Sequence, residues 1–320
     1  VVLAVLTCWI VARTPLEWFQ RVSRPLLFAA LVLLGATLVL GPLRNQSRRW
    51  LDFGPFAFQP SELLKIAALL YLADQLSRRE RATAFGHRTP LLAILAPVGV
   101  GAVLVLVEPD LGTSLFIVAE AIVLLGLAGV RPTRFLPFVI TALPLLVVYG
   151  YTRFAHVRER FEIYASGPKS GTQIQEALIG LGSGGVVGVG LGEGTHKLGY
   201  VAEARTDFIF TVIGEELGFL GCAGVVIAFM LFTFYGRRVA WQARALGPHA
   251  FYLAAGATFI VAFQALINIA VVTATAPTKG VSLPFISVGG SNLLMAATCV
   301  GLILNVSRRT AEHVSTDPWA

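Results

Sequence analysis

Nine near-continuous apolar stretches, at 1–12, 25–41, 61–76, 91–107, 111–129, 135–150, 208–234, 249–275 and 286–306, leave this chain few ways to fold. A helix needs about 20 apolar residues to cross a bilayer, and inside one every backbone polar group must find its partner within the protein. The stretches approach that length and lack the in–out alternation of barrel strands, so the fold is all-α and polytopic. Charged residues make up only 13% of the chain, against roughly 25% in soluble domains. We read 1–320 as a single membrane domain. Its first stretch is short, begins without Met and has no basic flank, so it reads as the remnant of a helix in a protein with at least about ten spans.

The basic residues give an orientation. Alternate loops (13–24, 77–90, 130–134, 235–248 and 307–320) hold fourteen arginines, and these are expected on the cytoplasmic side. The opposite short loops hold only Arg44, Arg48, Arg49 and Lys279; six more basic residues lie in the large loop 151–207, whose translocation depends little on charge. The net charge of +7 therefore reflects topology and anionic lipid, and nothing points to a nucleic-acid partner. Cys8, Cys222 and Cys299 all fall in apolar stretches, without metal-ligand or disulfide spacing.

In this orientation the polar chemistry collects on the outer face, in 42–61, 108–112, 151–207 and 276–292. Asp207 begins the stretch 208–234, where it can serve as a helix cap or as an ionisable group with a tuned pKa. Glu215 and Glu216 follow about 12 Å deeper and about 100° apart around a helix, which predicts that one faces an internal cavity or a neighbouring helix. Glu120, in mid-stretch, reads as a buried structural hydrogen-bonding group. "EPDLGTS" (108–114) forms a tight turn with two acids, Glu108 and Asp110, where the turn needs one. Ser61 is expected to cap the next helix, with Glu62 in its first turn and Lys65 paired to Glu62 or, across helices, to Glu108 or Asp110. "TQIQEALIGLGSGG" predicts a short interfacial helix inside the large loop. The glycine-rich 182–194 matches no phosphate-binding motif and reads first as turns and close packing, second as an anion cradle. "APTKGVSLPFISVGGS" (276–291) is irregular backbone that must line a cavity or pack on protein.

Four segments together resemble one family: "RRWLDFGPFAFQPSELLK" (48–65), "EPDLGTS" (108–114), "IGLGSGGVVGVGLGEGTHKLGYVAEARTDFIFTVIGEELGFLG" (179–221) and "INIAVVTATAPTKGVSLPFISVGGSNLL" (267–294). In order and spacing they look like the SEDS (shape, elongation, division and sporulation) proteins of the FtsW/RodA type, and the likeness covers nearly the whole chain. The resemblance implies ten membrane helices and a peptidoglycan glycosyltransferase that polymerises lipid II at the outer face of the bacterial cytoplasmic membrane. It also implies a class B penicillin-binding transpeptidase as partner, beside other divisome or elongasome membrane proteins. The family's essential acid in "TDFIF" carries over to Asp207, and "VIGEELG" points to the cell-division branch. Ala202, Arg205 and Thr172 depart from the residues the family usually has there; none touches the acid.

The implied reaction gives the residues expected roles. Asp207 is the base, and Arg205, Lys197 or Lys279, or a bound divalent ion, meets the pyrophosphate. Glu108, Asp110 and Ser287 are further substrate-binding candidates; Lys65, Glu62, Glu215 and Glu216 are structural or cavity-lining. Two other readings remain open: a flippase or transporter for a lipid-linked precursor, and a noncatalytic scaffold for a transpeptidase.

Overall fold

The computed structural model describes residues 1–42, 47–53, 56–84, 90–167, 172–194 and 206–316. Helices dominate: α1 (Val2–Arg13), α2 (Leu16–Leu40), α3 (Pro60–Ala84), α4 (Leu91–Val107), α5 (Leu111–Leu127), α6 (Pro132–Arg153), α7 (Ala155–Ser166), α8 (Gln173–Ser183), α9 (Ile209–Gln242), α10 (Pro248–Val272) and α11 (Gly290–Thr316). A small antiparallel hairpin precedes α3, with β1 (Leu51–Phe53) paired to β2 (Phe56–Phe58). Among the described residues five segments, Leu16–Leu40, Pro132–Arg153, Ile209–Leu246, Pro248–Val272 and Gly290–His313, are long and apolar enough to cross a membrane; α1, α4 and α5 are shorter apolar helices. This is a polytopic all-α membrane fold. Large exposed side chains along α9, such as Phe219, Leu220 and Met230, are what a lipid-facing helix requires.

Several helices run further than the apolar pattern predicts. α2 begins at Leu16, α3 continues to Ala84, α9 reaches Gln242 and α11 reaches Thr316, so Arg21, Arg24, Arg78, Arg79, Arg81, Arg237, Arg238, Arg308 and Arg309 lie on helices rather than in loops. Arginine is a good helix former with a long apolar stem, and a charged final turn need not end a helix where hydropathy ends. α3 starts with Pro60, whose fixed φ suits a first turn, and Glu62 N–H donates to the Gln59 carbonyl. Ser61 thus lies within the first turn instead of capping it. α8 is the short helix predicted inside the large loop, with the Thr172 hydroxyl accepting from Gln175 N–H at 3.4 Å. α7 was not expected; its mixed sequence AHVRERFEIYAS carries no clean apolar period.

The chain divides into two compact units, 1–150 with 235–260 and 293–320, and 151–234 with 261–292. In the first unit, close packing is bought with small residues: a Cβ on Gly101 would lie 2.9 Å from Leu64, and one on Gly256 would lie 2.2 Å from Leu69. The second unit has its own small core of Ala177, Phe208, Phe210, Ala265, Val272 and Leu283.

Candidate functional site

Within the second unit, α9 contains a break that organises everything around it. Gly218 has φ 66° and ψ −163°, a conformation that only glycine adopts at low cost. In an unbroken helix Phe219 and Leu220 N–H would donate to the carbonyls of Glu215 and Glu216. Here the glycine-rich segment takes both sides of those two missing rungs. Val189 and Gly190 N–H donate to the Glu215 and Glu216 carbonyls (2.9 and 3.1 Å), while Phe219 and Leu220 N–H donate to the Gly185 and Val186 carbonyls (2.9 and 3.1 Å). The fit is tight, since a Cβ on Gly188 would lie 2.1 Å from the Glu216 carbonyl oxygen and one on Gly184 would lie 1.9 Å from that of Gly214.

Glu216 adds a side-chain contact, its Oε2 accepting from Gly192 N–H at 3.0 Å. The buried Glu215 carboxylate would lie 2.9 Å from a Cβ on Gly194. Both glutamates thus sit against the glycine-rich segment. The amides of Val189, Gly190 and Gly192 are already engaged with α9, so the packing reading of this segment fits better than the anion cradle.

Asp207 stands in the turn just before α9, half-buried. Thr211 N–H donates to the Phe208 carbonyl, and the Asp207 carbonyl accepts instead from Asn268 Nδ2 of α10 at 2.7 Å. The same Nδ2 donates to the Val281 carbonyl at 2.6 Å. Ser287 Oγ accepts from Leu283 N–H at 2.7 Å and donates to the Thr206 carbonyl at 2.5 Å. Gln264, one turn before Asn268, donates through Nε2 to the Ser282 carbonyl (3.0 Å) and to Asn292 Oδ1 (2.6 Å). The outcome is that Gly280 faces the acid: a Cβ there would lie 3.0 Å from Asp207 Oδ2. Lys279 is the adjoining residue, its carbonyl accepting from Val281 N–H.

The structure therefore gathers Asp207, the Lys279–Gly280 step and Ser287 in one place. Lys197 and Arg205 lie outside the described residues. Glu62, Lys65, Glu108 and Asp110 belong to the first unit. Lys65 pairs with Glu62 at 2.8 Å and lies over the Phe116 ring at 5.0 Å. Asp110 caps α5, accepting from Thr113 N–H and Thr113 Oγ1, each at 2.9 Å. Glu108 is 1% exposed, its carboxyl oxygens without hydrogen-bond partners among the described residues, and Arg49 donates to its carbonyl and to that of Pro109. Burial, with Asp110 adding to it and Arg49 opposing, pushes the Glu108 carboxyl up to about 8. Among the described residues no three His, Cys, Asp or Glu side chains are grouped to hold a metal ion.

Asn268, Gln264 and Gly280 escaped the sequence reading. The signal for the two amides was present: polar residues four apart in the otherwise apolar "VAFQALINIAVV" mark one helix face with polar work to do.

Residues 1–312 match the profile of the family described as cell cycle protein, that of FtsW, RodA and SpoVE. Halorhodospira halophila has a relative, "Probable peptidoglycan glycosyltransferase FtsW", 39% identical over 307 residues that span 93% of this chain and 77% of the relative. The protein of the same description from Escherichia coli O157:H7 is 35% identical over 97% of this chain and 75% of its own length. Among solved structures, a chain of a peptidoglycan synthase complex in which polymerization and crosslinking are coordinated superposes with a TM-score of 0.76 at 28% identity, covering 96% of this chain and 87% of that one. The rod shape determining protein RodA of Thermus thermophilus gives 0.66 at 26% identity over 96% and 85%.

Proposed function

The chain belongs to the cell cycle protein family of FtsW, RodA and SpoVE, and from that premise we propose that it is a peptidoglycan glycosyltransferase polymerising lipid II, with Asp207 as its catalytic base. The observation that carries the site assignment is the position of Asp207: its carboxylate lies at the start of an apolar helix, against Gly280, the residue that follows Lys279 in the chain.

The reaction follows from that arrangement. A sugar hydroxyl of the acceptor attacks the anomeric carbon of the donor in line, a new glycosidic C–O bond forms, and the C–O bond to the lipid pyrophosphate breaks. Asp207 takes the hydroxyl proton as the new bond forms, and the anomeric centre inverts. The departing pyrophosphate carries the developing negative charge, which Lys279 meets as a point charge, together with Arg205 and Lys197 of the preceding segment. A site at the bilayer edge suits a substrate whose polyprenyl tail stays in the membrane while its sugars remain in water. We place this edge on the extracytoplasmic side of the bacterial cytoplasmic membrane, on the arginine distribution of the alternate loops, and expect a class B penicillin-binding transpeptidase as partner. The "VIGEELG" segment and the FtsW relatives favour a role in division.

The test is polymerisation of purified lipid II by the detergent-solubilised full chain, with and without the transpeptidase. Wild type is expected to make glycan strands and Asp207→Ala none, with both proteins equally folded. An Asp207→Ala protein that polymerises at the wild-type rate removes the assignment. The broken α9 helix is also a feature of transporters, so the same proteins in vesicles carrying lipid II on one leaflet separate translocation from polymerisation.

A further inference from the structure

We propose that Asn268 is a positioning residue for this reaction, clamping the loop that carries Lys279 and Gly280 against the start of α9 so that the Asp207 carboxylate is held against Gly280. The inference rests on the reading of Asp207 as the base.

Loop residues 281–283 take their cross-bonds from side chains. The carbonyl of Val281 is held by Asn268, that of Ser282 by Gln264, and the N–H of Leu283 by Ser287. Two of those three side chains reach the α9 turn as well, Asn268 to the Asp207 carbonyl and Ser287 to the Thr206 carbonyl. The loop and the acid are therefore fixed to each other at two points about one residue apart, and neither point uses the carboxylate. Asn268 is 1% exposed and Ser287 7%, so both act from inside the protein. An amide suits this place because one NH₂ group supplies two hydrogens to two carbonyls, which a hydroxyl cannot do.

The register set by the clamp explains the glycine. Gly280 is not among the residues with positive φ, so its backbone does not require glycine. What favours it is space, because a methyl group there would lie 3.0 Å from Asp207 Oδ2 and push the carboxylate aside by a few tenths of an ångström. The clamp aligns Gly280, a position that lacks a side chain, with the group that must accept the proton, and Lys279 is its neighbour in the chain. Loss of the clamp lets the loop shift relative to the carboxylate, and a displacement of about 1 Å at a reacting group is enough to cost on the order of 100-fold in rate.

The experiment compares steady-state lipid II polymerisation and its pH profile for wild type, Asn268→Ala, Asn268→Gln, Gly280→Ala and Asp207→Asn in the full chain. Asn268→Ala is expected to lose on the order of 10- to 100-fold in kcat with KM changed by less than about threefold. The pH limb that reports the base should also shift, and Asn268→Gln, which keeps the NH₂ group, should restore part of the rate. Gly280→Ala is expected to lower kcat with an unchanged melting temperature. A folded Asn268→Ala protein with wild-type kcat and pH profile overturns the proposal. If Asn268→Ala does not fold, the decision passes to Asn268→Gln and Gly280→Ala, and wild-type kcat and pH profile in both overturns it. An active Asp207→Asn instead removes the reading of Asp207 as base, whereas an inactive Asp207→Asn beside a fully active Asn268→Ala removes the positioning role alone.

Discussion

The two units bury polar groups by opposite means. In the first, α3, which holds Lys65, Glu62 and Asp74, continues unbroken and these charges are answered by side chains. Lys65 pairs with Glu62, and the fully buried Asp74 accepts from Arg78 at 2.8 Å, Gln75 at 3.0 Å and Ser23 at 3.4 Å. In the second, the backbone itself is interrupted, at Gly218 within α9 and through the 273–289 loop, and the bonds that stand out are made to backbone groups, from Asn268, Gln264, Ser287, Glu216 and the glycine-rich segment. An unbroken helix leaves only its ends unsatisfied, so charge can be buried with no effect on the path of the chain. A break at membrane depth frees backbone groups that must be satisfied, and the groups that satisfy them fix an irregular path. The second arrangement can shape a site; the first can only stabilise a bundle.

Substitutions that remove a partner on each side of this contrast should differ in kind as well as size. Lys65→Met leaves the mostly buried Glu62 without its ion-pair partner and is expected to cost roughly 3 kcal/mol, read as a fall in melting temperature. The double change Lys65→Met with Glu62→Gln should recover most of it, as a side-chain pair predicts. Gly218→Ala should cost about 3 kcal/mol or more, because a non-glycine residue is strained there and its Cβ would lie 2.4 Å from Gly188 N. No single compensating change should rescue it. Gly129→Ala in the first unit, also at positive φ (65°) but with no atom within 4 Å of the added Cβ, should cost only about 1 kcal/mol, and an equal loss at both positions would break the contrast. Asp110→Ala removes the α5 cap and should cost about 1 kcal/mol.

Stability in the first unit should also depend on pH. Glu108 in the folded protein holds its proton up to about pH 8, far above an unfolded glutamate near 4.5. Between those values the folded state binds the extra proton, so stability should fall as pH rises from about 4.5 to about 8 and level off above it. Asp110 and Arg49 are the charged groups acting on it. Glu108→Gln should flatten this slope in melting temperature; an unchanged slope assigns it to other groups.

The apolar stretches made the helices and the fold class legible, because hydropathy over about 20 residues is a bulk property. The Lys65–Glu62 pair was legible too, since i,i+3 spacing fixes it within one helix. Helix ends were not, because arginines prolong α3 and α9 past the point where hydropathy falls. The partners of Glu215 and Glu216 were also hidden. Spacing along an ideal helix put one of them facing a cavity or a neighbouring helix, but the break at Gly218, signalled only by one glycine among many, brings a distant glycine-rich segment onto both. Asp207 stood out as an acid at a helix start, while its relation to Gly280 and Asn268 depends on a tertiary approach across more than sixty residues that no local pattern encodes.

The contrast comes to one measurement. Lipid II polymerisation by Asp207→Asn, in the interrupted unit, is set beside Glu120→Gln, which alters a fully buried acid in mid-helix of the continuous unit. At matched folded protein, the account predicts no detectable glycan strands from Asp207→Asn and a wild-type rate from Glu120→Gln. Strand synthesis by Asp207→Asn together with its loss in Glu120→Gln would contradict it, placing the chemistry in the continuous helices.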